Sequence, residues 1–122
     1  ETIVKDFRQL KVWQKSHELV LELYSITTSF PRAEAYGLMA QIRRAAASIP
    51  SNLAEGCGRN GDAELARFCL IARGSASELE YHLLLARELK LIKPDDYEKL
   101  AQQTTEIKRM LTVFVQKLTA EG

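Results

Sequence analysis

Few side chains in this sequence could do chemistry: two histidines, two cysteines and one polar stripe that carries arginines. A carboxylate-bridged metal site in a helical protein needs Glu-x-x-His pairs from two helices. His17 is followed, not preceded, by Glu18, and Glu78 stands four residues ahead of His82 rather than three, with no second such pair. Glu78 and His82 therefore read as partners across one helical turn, in a modest surface contact. No metal is expected. Cys57 and Cys69 belong to no CxxC or Cys/His cluster, and both fall at core-facing positions, where a thiol stays protonated and inert. The sequence has no GxxxxGK[ST], GxGxxG, GxSxG or HExxH. It therefore nominates no catalytic residue, no cofactor and no small-molecule substrate, and the chain is expected not to be an enzyme.

The polar stripe is more informative. Gln41, Arg44, Ser48, Asn52, Glu55 and Arg59 recur at steps of three and four, the spacing of one helix face, and Arg43 flanks them. Between Arg32 and Arg59, four arginines (Arg32, Arg43, Arg44, Arg59) stand against Glu34 and Glu55, a local excess of two positive charges. Guanidinium forks hold phosphate bidentately, and a basic stripe can follow a nucleic-acid backbone. Arg43, Arg44 and Arg59 are thus candidate nucleic-acid contacts. The competing reading is a helix face satisfied by local ion pairs, or a contact with another protein. Aromatic residues do not alternate with these arginines along the sequence, so recognition by base stacking is not expected.

The elements that position this stripe follow from apolar periodicity. Four helices are expected, over about 10–29, 34–58, 62–91 and 94–119, in one domain spanning 1–122. The first carries two apolar stripes, Trp13, His17, Val20 and Tyr24 beside Val12, Leu19, Leu23, Ile26 and Phe30, and ends at Pro31. The second places Leu38, Ile42, Ala45, Ile49, Leu53 and Cys57 on one face. Pro50 lies in its interior and predicts a kink near Ala46 to Pro50. The third has a seam of Leu65, Cys69, Ala72, Ala76, Leu79, Leu83 and Ala86, with Asp62 as the expected N-cap. Gly74 costs about 1 kcal/mol in a helix interior, and close packing is the expected reason for it. The fourth starts at Pro94, with Asp95 and Asp96 at the positive end of its dipole. Its seam is Tyr97, Leu100, Thr104, Ile107, Leu111, Phe114 and Leu118. Short connections between long helices make an all-α, antiparallel up-down-up-down four-helix bundle.

Composition agrees with a globular chain: 46% hydrophobic, 27% charged, three prolines and six glycines in 122 residues. A net charge of +1 gives no global case for nucleic acid or an anionic membrane. The charged stretch Glu1 to Lys11 and the lack of an apolar run of about 20 residues predict neither a signal peptide nor a membrane span. A cytoplasmic location is the default. Apolar residues off the seams, Phe68, Leu70, Ile71, Leu84, Leu85, Met110 and Val113, predict either a thick core or a self-association surface.

The run from Gly37 to Gly56, GLMAQIRRAAASIPSNLAEG, with LKVWQ at Leu10–Gln14, Phe30-Pro31, Arg59 and Glu78-Leu79-Glu80, resembles the bacterial proteins encoded in intervening sequences of 23S rRNA genes. The resemblance runs from about Phe7 to Leu118. It implies a bundle with a kinked second helix, a homopentameric barrel as the oligomer, and a link to RNA or a ribonucleoprotein. It also implies a relation to the accessory variability determinant proteins of diversity-generating retroelements, which are strongly basic, whereas this chain is nearly neutral. Two functions follow as expectations: an oligomeric adaptor that binds RNA through Arg43, Arg44 and Arg59, or a protein-binding scaffold with no nucleic-acid role.

Overall fold

Four α-helices form the structure, a computed structural model that describes residues 6–34 and 36–120. They are α1 (Lys11–Thr27), α2 (Leu38–Cys57), α3 (Gly61–Glu88) and α4 (Pro94–Thr119), with 3-10 turns at Phe7–Gln9 and Arg32–Glu34. No strand occurs among the described residues. Residues 1–5 of the charged N-terminal stretch and Ala35 at the expected start of the second helix lie outside the described residues.

Local chemistry explains where each helix starts and stops. The Asp6 carboxylate accepts from the Arg8 N–H at 3.0 Å and closes the first 3-10 turn, which delivers the chain to α1. The first helix ends at Thr27 rather than Ser29. The N–H groups of Thr28, Ser29 and Phe30 turn back to the carbonyls of Ser25, Ile26 and Thr27, a tightening that sets up Pro31. The second helix begins at Leu38 rather than Glu34, because the residues after Pro31 close a separate 3-10 turn. It runs through Pro50 to Cys57. Asp62 is not the N-cap of α3: Asn60 precedes the helix, and Asp62 and Glu64 sit in its first turn beside the positive dipole end. Gly61 has φ of +88°, a conformation that a side chain would resist.

The third helix ends at Glu88, short of the expected Leu91. Lys90 takes a left-handed φ of 62°, its N–H reaches the Arg87 carbonyl, and the Leu91 N–H reaches the Ala86 carbonyl. This pair of bonds is a Schellman closure with lysine where glycine is usual. Pro94 then occupies the first turn of α4, with Asp95 and Asp96 beside it.

The helices meet in the cycle α1–α2–α3–α4–α1, and α1 and α4 share the sparsest contact of the four. Cross-helix pairs fix the registers. Arg44 meets Glu78, Ser48 meets Ser75 and Gly56 meets Leu65 and Phe68, so positions climb along α2 as they descend along α3. Between α3 and α4, Arg73 meets Thr112 and Glu80 meets Lys108; between α1 and α4, Lys15 meets Glu106 and Glu22 meets Lys99. Inside the cycle, Leu19, Leu23, Ile42, Ile49, Leu53, Leu79, Leu83, Leu100, Ile107 and Leu111 are at most 1% exposed. Each such side chain contributes about 1.5–3 kcal/mol of transfer free energy. Ser16, Thr27 and Thr104 are the buried polar residues among those described, and each hydroxyl donates to a carbonyl on its own helix.

Candidate interface on the second helix and the outer face of the third

The polar stripe of α2 lies along the seam with α3, and its members are bonded to one another. Arg44 donates to Gln41 Oε1 at 2.8 Å and to Glu78 Oε2 of α3. The same Glu78 oxygen faces His82 Nε2 at 3.2 Å. Hydrogen bonding from His82, followed by that from Arg44, holds the Glu78 carboxyl below its ordinary range. His82 is less of a surface group than its sequence position suggests: its side chain is 14% exposed. Ser48 Oγ lies 2.8 Å from Ser75 Oγ, and Asn52 Nδ2 donates to the Ser48 carbonyl at 2.8 Å and its hydroxyl at 3.0 Å. One turn further, Arg59 donates to Glu55 Oε2 at 2.7 Å.

Arg43 points the other way, to α1. Its Nε donates to Thr27 Oγ1 at 2.8 Å and its Nη2 to the Tyr24 carbonyl at 3.0 Å, while the guanidinium lies 4.4 Å from the Tyr24 ring centre. Arg59 covers Phe68 at 5.1 Å. Aromatics do therefore accompany the arginines, which the sequence order did not suggest. They arrive from α1 and α3, and the guanidinium groups occupy their faces.

The three candidate arginines thus do not converge. Arg44 and Arg59 lie along the α2–α3 seam, each with a carboxylate of its own, and Arg43 is turned onto α1. Arg44 and Arg59 remain about half exposed, at 56% and 48%. The partners that sequence reasoning missed, Ser75, Tyr24 and Thr27, carry no local signal, since each is met only through folding. Glu78 was assigned to His82 alone.

A second feature lies on the outside of α3. Leu70, Ile71 and Tyr81 are 43%, 41% and 59% exposed. Gly74 and Ser77 are exposed between them. Nothing stands within 4 Å of where a Gly74 Cβ would be, so close packing within the chain is not the reason for this glycine. Gly56 is the tightly packed one: a Cβ there would meet Phe68 Cβ at 2.8 Å and Leu65 Cδ1 at 2.9 Å. Of the residues off the seams, Phe68 is buried, Leu84, Leu85 and Met110 are half-buried, and Leu70, Ile71 and Val113 are open to solvent.

Cys57 and Cys69 are both buried, and burial, with a smaller push from Cys57, raises the Cys69 thiol to about 12. Among the described residues, no three His, Cys, Asp or Glu side chains are grouped to hold a metal ion, and no helix is long and apolar enough to cross a membrane.

Residues 8–113 match the family model described as 23S rRNA-intervening sequence protein. No curated protein matches the chain. Among solved structures, a protein of unknown function from the S23 ribosomal protein family of Bacteroides thetaiotaomicron VPI-5482 is similar. The two share 26% identity with a TM-score of 0.77, over 86% of this chain and 98% of that one.

Proposed function

This chain belongs to the 23S rRNA-intervening sequence protein family, and from that premise we propose that it is a non-enzymatic, self-assembling scaffold of the cytoplasm that works through protein contacts. The proposed unit is an antiparallel up-down-up-down bundle, with α2 bent at Pro50. The descending cross-helix pairs, 44 with 78, 48 with 75, 73 with 112 and 80 with 108, support that topology.

The observation that carries the assembly reading is the outer stripe of α3. Leu70, Ile71 and Tyr81 flank a bare patch at Gly74 and Ser77. Exposed apolar side chains around a spot without side-chain bulk let another helix approach closely, and desolvating them favours association. The family resemblance implies five copies. The pairing of Arg44 with Glu78 and of Arg59 with Glu55 weighs against RNA as the primary ligand, because each arginine's charge is already offset by a carboxylate that would repel a phosphate.

Light scattering coupled to size exclusion tests the assembly reading. Wild type should elute as an oligomer of five chain masses, and Leu70→Glu/Tyr81→Glu should elute as a smaller species with unchanged helical circular dichroism. A monomeric wild type, or a variant that stays fully assembled, overturns it. Titration with structured RNA over a range of salt tests the other function. Salt-dependent binding that is lost in Arg44→Ala/Arg59→Ala would return the function to nucleic acid.

A further inference from the structure

On a different surface, the loosest seam of the bundle, we infer a docking groove for an acidic amphipathic helix of a partner protein. The groove has a volume of about 390 Å³ and runs between the first turn of α1 and the last turns of α4. Its apolar lining comes from Leu10, Val12, Met110, Val113 and Phe114, and its charged lining from Lys11, Arg109 and Lys117. Val113 is 49% exposed on this face.

Charge identifies the occupant. Further along the same seam, α1 and α4 are cross-linked by Lys15 with Glu106 at 3.6 Å, and by Lys99 and Gln103 with Glu22 at 2.7 and 3.1 Å. Those pairs stop short of the groove. Among the described residues, none of Lys11, Arg109 and Lys117 has a carboxylate within ion-pair distance. The start of α1 lies beside the end of α4, so the two helix dipoles offset each other and the charge of the groove is that of its side chains. An apolar trough edged by three cations that meet no carboxylate among the described residues complements a ligand with apolar anchors and carboxylates beside them.

Shape identifies the ligand as a helix. The trough is bounded by two helices, the setting in which a third helix lays its apolar face between the ridges of the other two. From Met110 to Lys117 it spans about 10 Å, or two helical turns, which suits anchors at i, i+3 or i+4, and i+7. This surface is separate from the α3 stripe and does not depend on it.

The test uses the full chain and a fluorescein-labelled synthetic helix of sixteen residues. Leucines occupy i, i+3, i+4 and i+7, with glutamates along the flanking positions, and a control peptide carries lysines in place of the glutamates. Fluorescence anisotropy should show saturable binding of the acidic peptide and at least tenfold weaker binding of the basic one. Val113→Glu should weaken the acidic peptide by about tenfold or more, and Lys117→Glu and Arg109→Glu by several-fold each. All three positions are exposed or border solvent, and unchanged circular dichroism and elution volume keep the comparison clean. Equal affinity for both peptides, or variants that bind like wild type, overturns the proposal. Displacement of the peptide by decanoate at comparable concentration would reassign the groove to aliphatic carboxylates and overturns it too. So does a change of oligomeric state in Val113→Glu alone, which would make a second copy of the chain the occupant. Loss of assembly in Leu70→Glu/Tyr81→Glu leaves these expectations as they are.

Discussion

Arg44 of α2 donates to the carboxylate of Glu78 in α3, 34 positions away, and the same oxygen faces His82 one turn along α3. One carboxylate thus links two helices and gathers two residues of the polar α2–α3 seam. Both ends of the cross-link are partly solvated, at 56% and 40% exposure, so its worth is that of a surface pair, up to about 1 kcal/mol.

A pH dependence follows from this site. The folded-state pKa of Glu78 lies below its ordinary value of 4.5, so its stabilisation is fully present above about pH 4.5 and is lost as pH falls through the folded value. Urea denaturation of wild type and Glu78→Gln should differ by up to about 1 kcal/mol near neutral pH and converge in acid. A difference that persists unchanged in acid would contradict the assignment.

The two glycines should respond in opposite directions. Gly56→Ala pushes a methyl group into Phe68 and Leu65, and should cost about 1–3 kcal/mol. Gly74→Ala places a methyl group in open space on a helix and should add about 0.5–1 kcal/mol to the stability of the single chain. Denaturant midpoints measure both, with Gly74→Ala compared in the Leu70→Glu/Tyr81→Glu background so that assembly does not enter.

Lys90 closes α3 in a left-handed conformation that an L side chain resists. Lys90→Gly should therefore stabilise the chain by about 1 kcal/mol, read as a higher melting temperature with the helix content unchanged.

The buried Cys69 thiol, raised to about 12, should resist alkylation by iodoacetamide near pH 8 in the native chain and react once the chain is denatured. Mass spectrometry of the labelled peptides separates the two states, and rapid native labelling at Cys69 would contradict its placement in the core.

The apolar seams were legible from the sequence because helical periodicity is a local property of the chain. The second seam, Leu38, Ile42, Ala45, Ile49, Leu53 and Cys57, and the third, Leu65 to Ala86, are buried throughout, and Pro94 with its two aspartates marked the start of α4. The early end of α3 was not legible, because it depends on Lys90 adopting a conformation that local propensity disfavours. Tertiary structure alone decided what the arginines meet. Spacing put Gln41, Arg44, Ser48, Asn52, Glu55 and Arg59 on one face, but only the register of α2 against α3 gave Arg44 its carboxylate and Ser48 its serine, and only α1 supplied Tyr24 and Thr27 to Arg43. Gly74 shows the same division. Its type signalled a missing side chain at a helix face, while packing decided that the face turns outward. Periodicity is set by near neighbours along the chain, whereas ion pairing and exposure are set by residues that only folding brings together.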